Sequence, residues 1–233
     1  MSVALSLDQV GVFYRRRVSL LNREKFWAIR DISFEVNTGE TLGVIGRNGS
    51  GKSTLLRVLA DLLVPDEGKV TRSIKTASLL TLNLGFLPQL SGRDNAIVSG
   101  MLLGLSRIEA IGKLGQVIEF SELGSAIDDP IRTYSAGMRA RLSFGVALCS
   151  DPDVILVDEA LGVGDGEFRQ KSTKEMKEKM KSNKTVVLVS HSEVLVRELC
   201  NRLVWLDNGT VVASGEVDPV LNEYNRSQQL IRS

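Results

Sequence analysis

Gly46-Arg47-Asn48-Gly49-Ser50-Gly51-Lys52-Ser53-Thr54 is the stretch on which the reading of this chain turns. It fits the phosphate-loop pattern G-x-x-x-x-G-K-[ST]. Glycines let the backbone curl so that several N–H groups point inward at phosphate oxygens. The helix that follows presents its positive N-terminal end to the same anion. In this pattern Lys52 bridges the β- and γ-phosphates and the Ser53 hydroxyl ligates Mg²⁺. A chance match in a chain of this length is on the order of one in a hundred. The context agrees: Thr41–Ile45 is a short apolar run, and residues 52–62 carry a helical pattern. The expected ligand is a nucleotide with Mg²⁺, cradled by residues 46–54.

Two further strand ends supply the partners such a loop needs. Val154-Ile155-Leu156-Val157 is an apolar run closed by Asp158, the position of a Mg²⁺-orienting carboxylate in a phosphate-loop enzyme. Glu159 follows directly, and adjacent strand residues point to opposite faces. Asp158 is therefore expected to hold the metal and Glu159 to polarise the attacking water. The run at residues 186–190 ends in His191, the single histidine of the chain. It falls on the strand edge that carries ligands in an open α/β sheet, so its ring is expected to reach the γ-phosphate or the water.

The rest of the chain sets bounds. With 233 residues it can bury a substantial core without disulfides or a structural metal. Lys plus Arg number 29 against 28 Asp plus Glu, a formal charge of +1, which argues against a whole-surface grip on nucleic acid. Cys149 and Cys200 lie in apolar stretches without metal-like or redox-like spacing, as buried reduced thiols do. No segment approaches the ~18 uninterrupted apolar residues of a membrane span, and the N-terminus shows no signal-peptide pattern. Alternation at residues 5–10 and 32–36 predicts half-exposed strands. Helical spacing predicts helices over residues 95–125, 137–149 and 168–181. Asp207-Asn208-Gly209 between two apolar runs predicts a hairpin. The fold class that follows is α/β.

Tyr134-Ser135-Ala136-Gly137-Met138, shortly before the Asp158 strand, resembles the L-S-G-G-Q signature of ATP-binding-cassette ATPases. With residues 46–54, the Asp158-Glu159 pair and His191, four motifs agree in order and spacing, and the resemblance covers nearly the whole chain. It implies an ABC-type phosphate-loop ATPase with a RecA-like core, an N-terminal antiparallel β subdomain and a helical subdomain bearing the signature. The expected arrangement is one domain over residues 1–233, its core at about 1–85 and 151–233 and its helical part at about 86–150. The resemblance also implies that Asp165 lies in the D-loop and that Tyr14 is the A-loop aromatic that stacks on adenine. Phe13 and Trp27 are nearby aromatics that can equally be core. Ser135 and Gly137 would face the ATP held by a second subunit, in a head-to-tail homodimer. The Q-loop position falls at Gln89 by local text or at Thr81 by spacing.

Variant spellings narrow the resemblance. Residues 134–142, Tyr-Ser-Ala-Gly-Met-Arg-Ala-Arg-Leu, are similar to the Y-S-S-G-M-R-A-R-L form of cassettes that export lipid-linked polysaccharide. Leu84-Gly85-Phe86, Pro88 and Leu90-Ser91-Gly92-Arg93-Asp94-Asn95 resemble their L-G-x-G-F-x-P-x-L-T-G-R-E-N stretch, and Phe26-Trp27-Ala28-Ile29-Arg30-Asp31-Ile32-Ser33-Phe34 resembles F-W-A-L-K-D-V-S-F. The partners so implied are an integral membrane permease dimer and a lipid-linked polysaccharide of O-antigen, capsular or teichoic acid type, and no nucleic acid. The implied location is the cytoplasmic face of the bacterial inner membrane, held there through the permease. A drug or lipid exporter is the nearest alternative; a non-transport cassette of translation or DNA repair would carry a second cassette or long insertions. Residues 15–27 read as a basic insertion, either a solvated loop or a contact for permease or anionic lipid. The tail from about residue 218 is expected to be too short for a carbohydrate-binding domain.

Overall fold

The computed structural model describes residues 2–17, 23–80, 85–158 and 165–232. The expectations at Thr81, Leu84 and Glu159 fall outside these residues. In chain order the first elements are strands β1 (Val3–Arg17), β2 (Arg23–Asn37) and β3 (Thr41–Ile45), helix α1 (Lys52–Leu59), and strands β4 (Glu67–Arg72) and β5 (Ala77–Leu80). Helices α2 (Gly92–Leu102), α3 (Arg107–Ser121) and α4 (Ala136–Ser150) follow, then β6 (Val154–Asp158), α5 (Gly166–Lys181) and β7 (Thr185–Val189). The chain continues through α6 (Glu193–Leu199), β8 (Arg202–Asp207), β9 (Thr210–Glu216) and α7 (Val217–Arg232). The elements group into two compact units, residues 1–79, 154–159 and 183–233 in one, residues 80–153 and 160–182 in the other.

The first unit is built on two sheets. One is antiparallel, ordered β2-β1-β4; the other is ordered β5-β6-β7-β3-β8-β9. In the second sheet β6, β7, β3 and β8 pair in parallel and β9 closes the edge antiparallel to β8. Parallel strands covered on both faces read as unbroken apolar runs, and β3 and β7 are buried at every position. Alternate residues serve opposite faces. Leu42, Val44, Val204 and Leu206 join Leu55, Leu56 and Leu59 of α1 in one core, while Ile45, Leu203 and Trp205 pack with Val196 of α6 and Val220 and Leu221 of α7. This order places the carboxyl ends of β3, β6 and β7 side by side, where an open α/β sheet binds ligands.

The second unit is helical. Ala96, Leu114, Val117, Ile127, Tyr134, Leu142 and Val146 form its core. Tyr134, which opens the signature-like segment, is buried and its hydroxyl donates to the Ala126 carbonyl at 2.5 Å. Gly92 is required beside it, because a Cβ there would lie 2.1 Å from that hydroxyl. Asn95 is also buried. Its Oδ1 accepts from the Leu87 amide at 2.7 Å and its Nδ2 donates to the Leu87, Leu90 and Ser91 carbonyls at 3.0, 3.1 and 2.9 Å. It closes the loop that leads into α2.

Three expectations change. The alternating stretches are the inner parts of much longer strands: β1 and β2 stay paired from Val3↔Asn37 out to Arg17↔Arg23. The basic residues expected as an insertion thus extend the same ladder, and register shifts near Val10 and Val12 hide its continuity from a simple period of two. The helix expected over residues 95–125 is two helices. Gly104 takes a φ of +100°, and Ser106 with Glu109 forms a reciprocal capping box that starts α3 afresh. Finally, α1 stops at Leu59, where Asp61 adopts a left-handed φ of +60°.

Candidate functional site

Strand β3 runs out into the loop at Gly46, and α1 starts at Lys52. Gly51, the residue before α1, has a φ of +104°, and a Cβ there would lie 2.5 Å from the Ala28 carbonyl oxygen. A larger residue at either Gly46 or Gly51 therefore collides with neighbouring backbone. The Lys52 side chain is buried and its Nζ donates to the carbonyls of Gly46 and Arg47, both at 2.8 Å. The ammonium thus spans the mouth of the loop and holds it open. Ser50 ties the loop to the β8–β9 turn through Gly209 N–H, 3.1 Å from its carbonyl. Its hydroxyl is buried without a hydrogen-bond partner among the described residues. Buried polar atoms are nearly always paired, so an orphan in a positive cradle fits an anionic ligand.

Ser53 is exposed, and its Oγ donates to Asp158 Oδ2 at 3.3 Å. A hydroxyl and a carboxylate at the base of the cradle are hard oxygen donors. Mg²⁺ bound to a nucleotide takes few protein ligands of this kind and completes its octahedron with phosphates and waters. The donor set fits that ion. Glu159, expected beside Asp158, lies outside the described residues.

Beside the loop is a cavity of about 390 Å³ lined by Tyr14, Phe26, Ala28, Asn48, Gly49, Gly51, Lys52, Ser53 and Thr54. Tyr14, the aromatic that the resemblance implies for the adenine, thus lines a cavity shared with the phosphate loop. Phe13 and Trp27, by contrast, pack on each other edge to face, 5.3 Å between centroids. His191 is exposed just past β7 and shares a cavity of about 20 Å³ with Gly46, Ser190 and Tyr224. One water fits such a space. Sequence reasoning missed Tyr224, which reaches this place from α7 with its ring edge-on to Trp205.

In the second unit Ser135 caps α4. Its Oγ accepts from the Met138 amide at 3.2 Å, which leaves its own O–H to donate outward. Gly137 lies in the first turn of that helix, half-buried. Asp165 precedes α5 and pairs with Arg141 of α4 at 2.5 Å. The Arg141 hydrogen bond holds the Asp165 carboxyl below the usual carboxylate range. Arg141 also reaches Glu122 at 3.4 Å and lies over the Phe168 ring at 4.9 Å. It too was missed as a functional residue, although its place in the arginine-rich stretch after Gly137 was visible. Gln89 is exposed in the turn before α2.

Comparison with known proteins adds the lineage. The profile of the family described as ABC transporter matches residues 29–162, more than half of the chain. The O-antigen export system ATP-binding protein RfbB of Klebsiella pneumoniae is 42% identical over 217 residues, 93% of this chain and 88% of that protein. The ABC transporter protein AbcA of Aeromonas salmonicida is 42% identical over 86% of this chain, which spans 65% of its length. The teichoic acids export ATP-binding protein TagH of Lactococcus lactis is 41% identical over 89% of this chain, which spans 44% of its length. Among solved structures, an ATP-binding cassette in a dimeric post-hydrolysis state bound to ADP and Pi superposes with a TM-score of 0.71 at 21% identity, covering 91% of this chain and 98% of that one. An ATP-binding subunit of an ABC transporter gives a TM-score of 0.74 at 19% identity over 95% and 93% of the two chains. At that identity the structural likeness shows the fold, and the profile with the Klebsiella relative shows the lineage: this chain belongs to the ABC transporter family, as one of its ATP-binding cassettes.

Proposed function

We propose that this chain is the ATP-hydrolysing subunit of an exporter of lipid-linked polysaccharide, working as a homodimer beneath an integral membrane permease dimer at the cytoplasmic face of a bacterial inner membrane. The chemistry is carried by one observation, the convergence of the Lys52 ammonium, the Ser53 hydroxyl and the Asp158 carboxylate on a single glycine-walled cradle. The class of cargo is supported by the 42% identity to an O-antigen export protein over 93% of the chain. Teichoic acid export relatives at 41% keep the cargo at the level of lipid-linked polysaccharide.

In this reading residues 46–54 bind the triphosphate through backbone N–H groups and the start of α1. Lys52 turns from loop carbonyls toward the β- and γ-phosphate oxygens, and Tyr14 stacks on the adenine. Ser53 and Asp158 hold Mg²⁺, which when bound neutralises charge on the phosphate oxygens. Glu159 orients water for in-line attack, and His191 donates a hydrogen bond to the γ-phosphate. The Ser135 hydroxyl and the N–H groups of Gly137 and its neighbours, at the positive end of α4, complete the site of the second copy, with Asp165 alongside. ATP and water leave as ADP and inorganic phosphate, and loss of the γ-phosphate removes the anion that joined the two copies.

The test is turnover by the purified chain over a range of protein concentrations. Specific activity should rise steeply with concentration, and Glu159→Gln should bind ATP while losing most turnover. Activity independent of concentration, or wild-type turnover in Glu159→Gln, would overturn the paired mechanism.

A further inference from the structure

We propose that Phe26 is a second base-contacting residue, which with Tyr14 receives the purine ring of the nucleotide. The inference deepens the ATP reading and rests on it.

The β1–β2 hairpin carries two aromatic pairs in adjacent rungs, Phe13↔Trp27 and Tyr14↔Phe26. Successive strand residues face opposite ways, so the pairs occupy opposite faces. The first pair is satisfied within the fold. Phe13 and Trp27 meet edge to face at 5.3 Å, and the Lys25 ammonium lies 4.4 Å from the Phe13 centroid. The second pair is left in solvent, Tyr14 40% and Phe26 58% exposed. Directly opposed residues in a ladder hold their Cβ atoms about 5 Å apart, so the two rings sit side by side.

Their position says what they await. Both line the cavity whose remaining wall is Ala28 and the phosphate loop itself. A ligand seated there has its polyphosphate on residues 48–54 and its other end against two apolar ring surfaces. A flat heteroaromatic ring attached to a triphosphate meets that description. Among the described residues lining the cavity, Tyr14 is the sole polar side chain outside the loop. The base is thus read by ring area rather than by hydrogen bonds to its edge. ATP and GTP should bind alike, and the smaller pyrimidines of UTP and CTP more weakly.

The experiment is equilibrium titration of the full chain with ATP, GTP, UTP and inorganic tripolyphosphate, for wild type, Phe26→Ala, Phe26→Trp and Tyr14→Ala. Base–aromatic stacking is sequence-tolerant and each ring contributes a tenfold order of affinity. Phe26→Ala should therefore weaken ATP and GTP about tenfold, leave tripolyphosphate unchanged and narrow the gap between ATP and UTP. Phe26→Trp should restore ATP binding. Unchanged ATP affinity in Phe26→Ala, with Tyr14→Ala weakened, would overturn the proposal while sparing the ATP reading. Equal loss of ATP and tripolyphosphate would also overturn it, by showing that Phe26 supports the loop instead of the base. A wild-type chain that takes up neither ligand would refute the ATP reading itself.

Discussion

Replacing Gly46 with Ala should damage the protein before any nucleotide is added, and the damage can be sized from its surroundings. A Cβ on Gly46 would sit 2.2 Å from the Leu206 carbonyl oxygen and 2.6 Å from Ser50 Oγ. The serine hydroxyl can turn away. The carbonyl cannot, because β8 is laddered to β3 on the rungs beside it, Val44↔Val204 and Ile45↔Trp205. About 1 Å of backbone separation is then needed, and overpacking of this kind costs about 1–3 kcal/mol. The φ of +155° adds about 1–2 kcal/mol for a residue with a side chain. Gly49 is the internal comparison: its φ is +80° but nothing lies within 4 Å, so Gly49→Ala bears the conformational cost alone. At about 2–4 °C per kcal/mol for a chain of this size, Gly46→Ala should lower the melting temperature by about 10 °C and Gly49→Ala by about 4 °C. Thermal melts of the nucleotide-free proteins decide the matter. A Gly46→Ala melt within 2 °C of wild type, or a larger loss in Gly49→Ala, would refute the packing role assigned to the first glycine.

Asn95→Ala strands one amide and three carbonyls in the loop before α2, and should cost about 3 kcal/mol in denaturant titration. The Asp165 carboxyl is depressed by Arg141, so its stabilisation is present above the ordinary carboxylate pKa and lost as pH falls through its lowered value; the melting gap between wild type and Asp165→Asn should be open at pH 7 and narrow as the pH is taken down through the acid range below the ordinary carboxylate pKa. Burial pushes the Cys200 thiol up to about 12. Stability contributed by keeping it neutral is present below pH 9 and declines as pH rises toward 12, and iodoacetamide at pH 8 should modify Cys200, read by mass spectrometry, only after unfolding.

Much of the site could be read from the sequence because its parts are local. Residues 46–54 form one turn, Asp158 and His191 each follow an apolar run, and Ser135 is a helix cap, so each is declared by its immediate neighbours. What escaped reading depends on pairing across the chain. Phe26 lines the cavity beside the loop and opposes Tyr14 in a ladder whose register shifts no single strand reveals. Tyr224 lines the small cavity beside His191 from a helix that looks like a plain amphipathic tail. Arg141 finds Asp165 from 24 residues away. The fold followed the same rule. The central buried strands were legible as apolar runs, whereas β4, β5 and α6 are short, and β4 is mostly exposed with little periodicity to declare it. The break between α2 and α3 was hidden because apolar spacing continues across Gly104 while the capping box resets the helix.

The central claim, that ATP turnover at this site drives export of a lipid-linked polysaccharide, is tested most directly in cells. The chromosomal copy would be replaced by Glu159→Gln and the distribution of the glycan measured across the inner membrane. Undecaprenyl-linked glycan should accumulate on the cytoplasmic leaflet while surface glycan disappears, with the variant still binding ATP. Normal surface glycan in those cells, with no cytoplasmic accumulation, would contradict the claim.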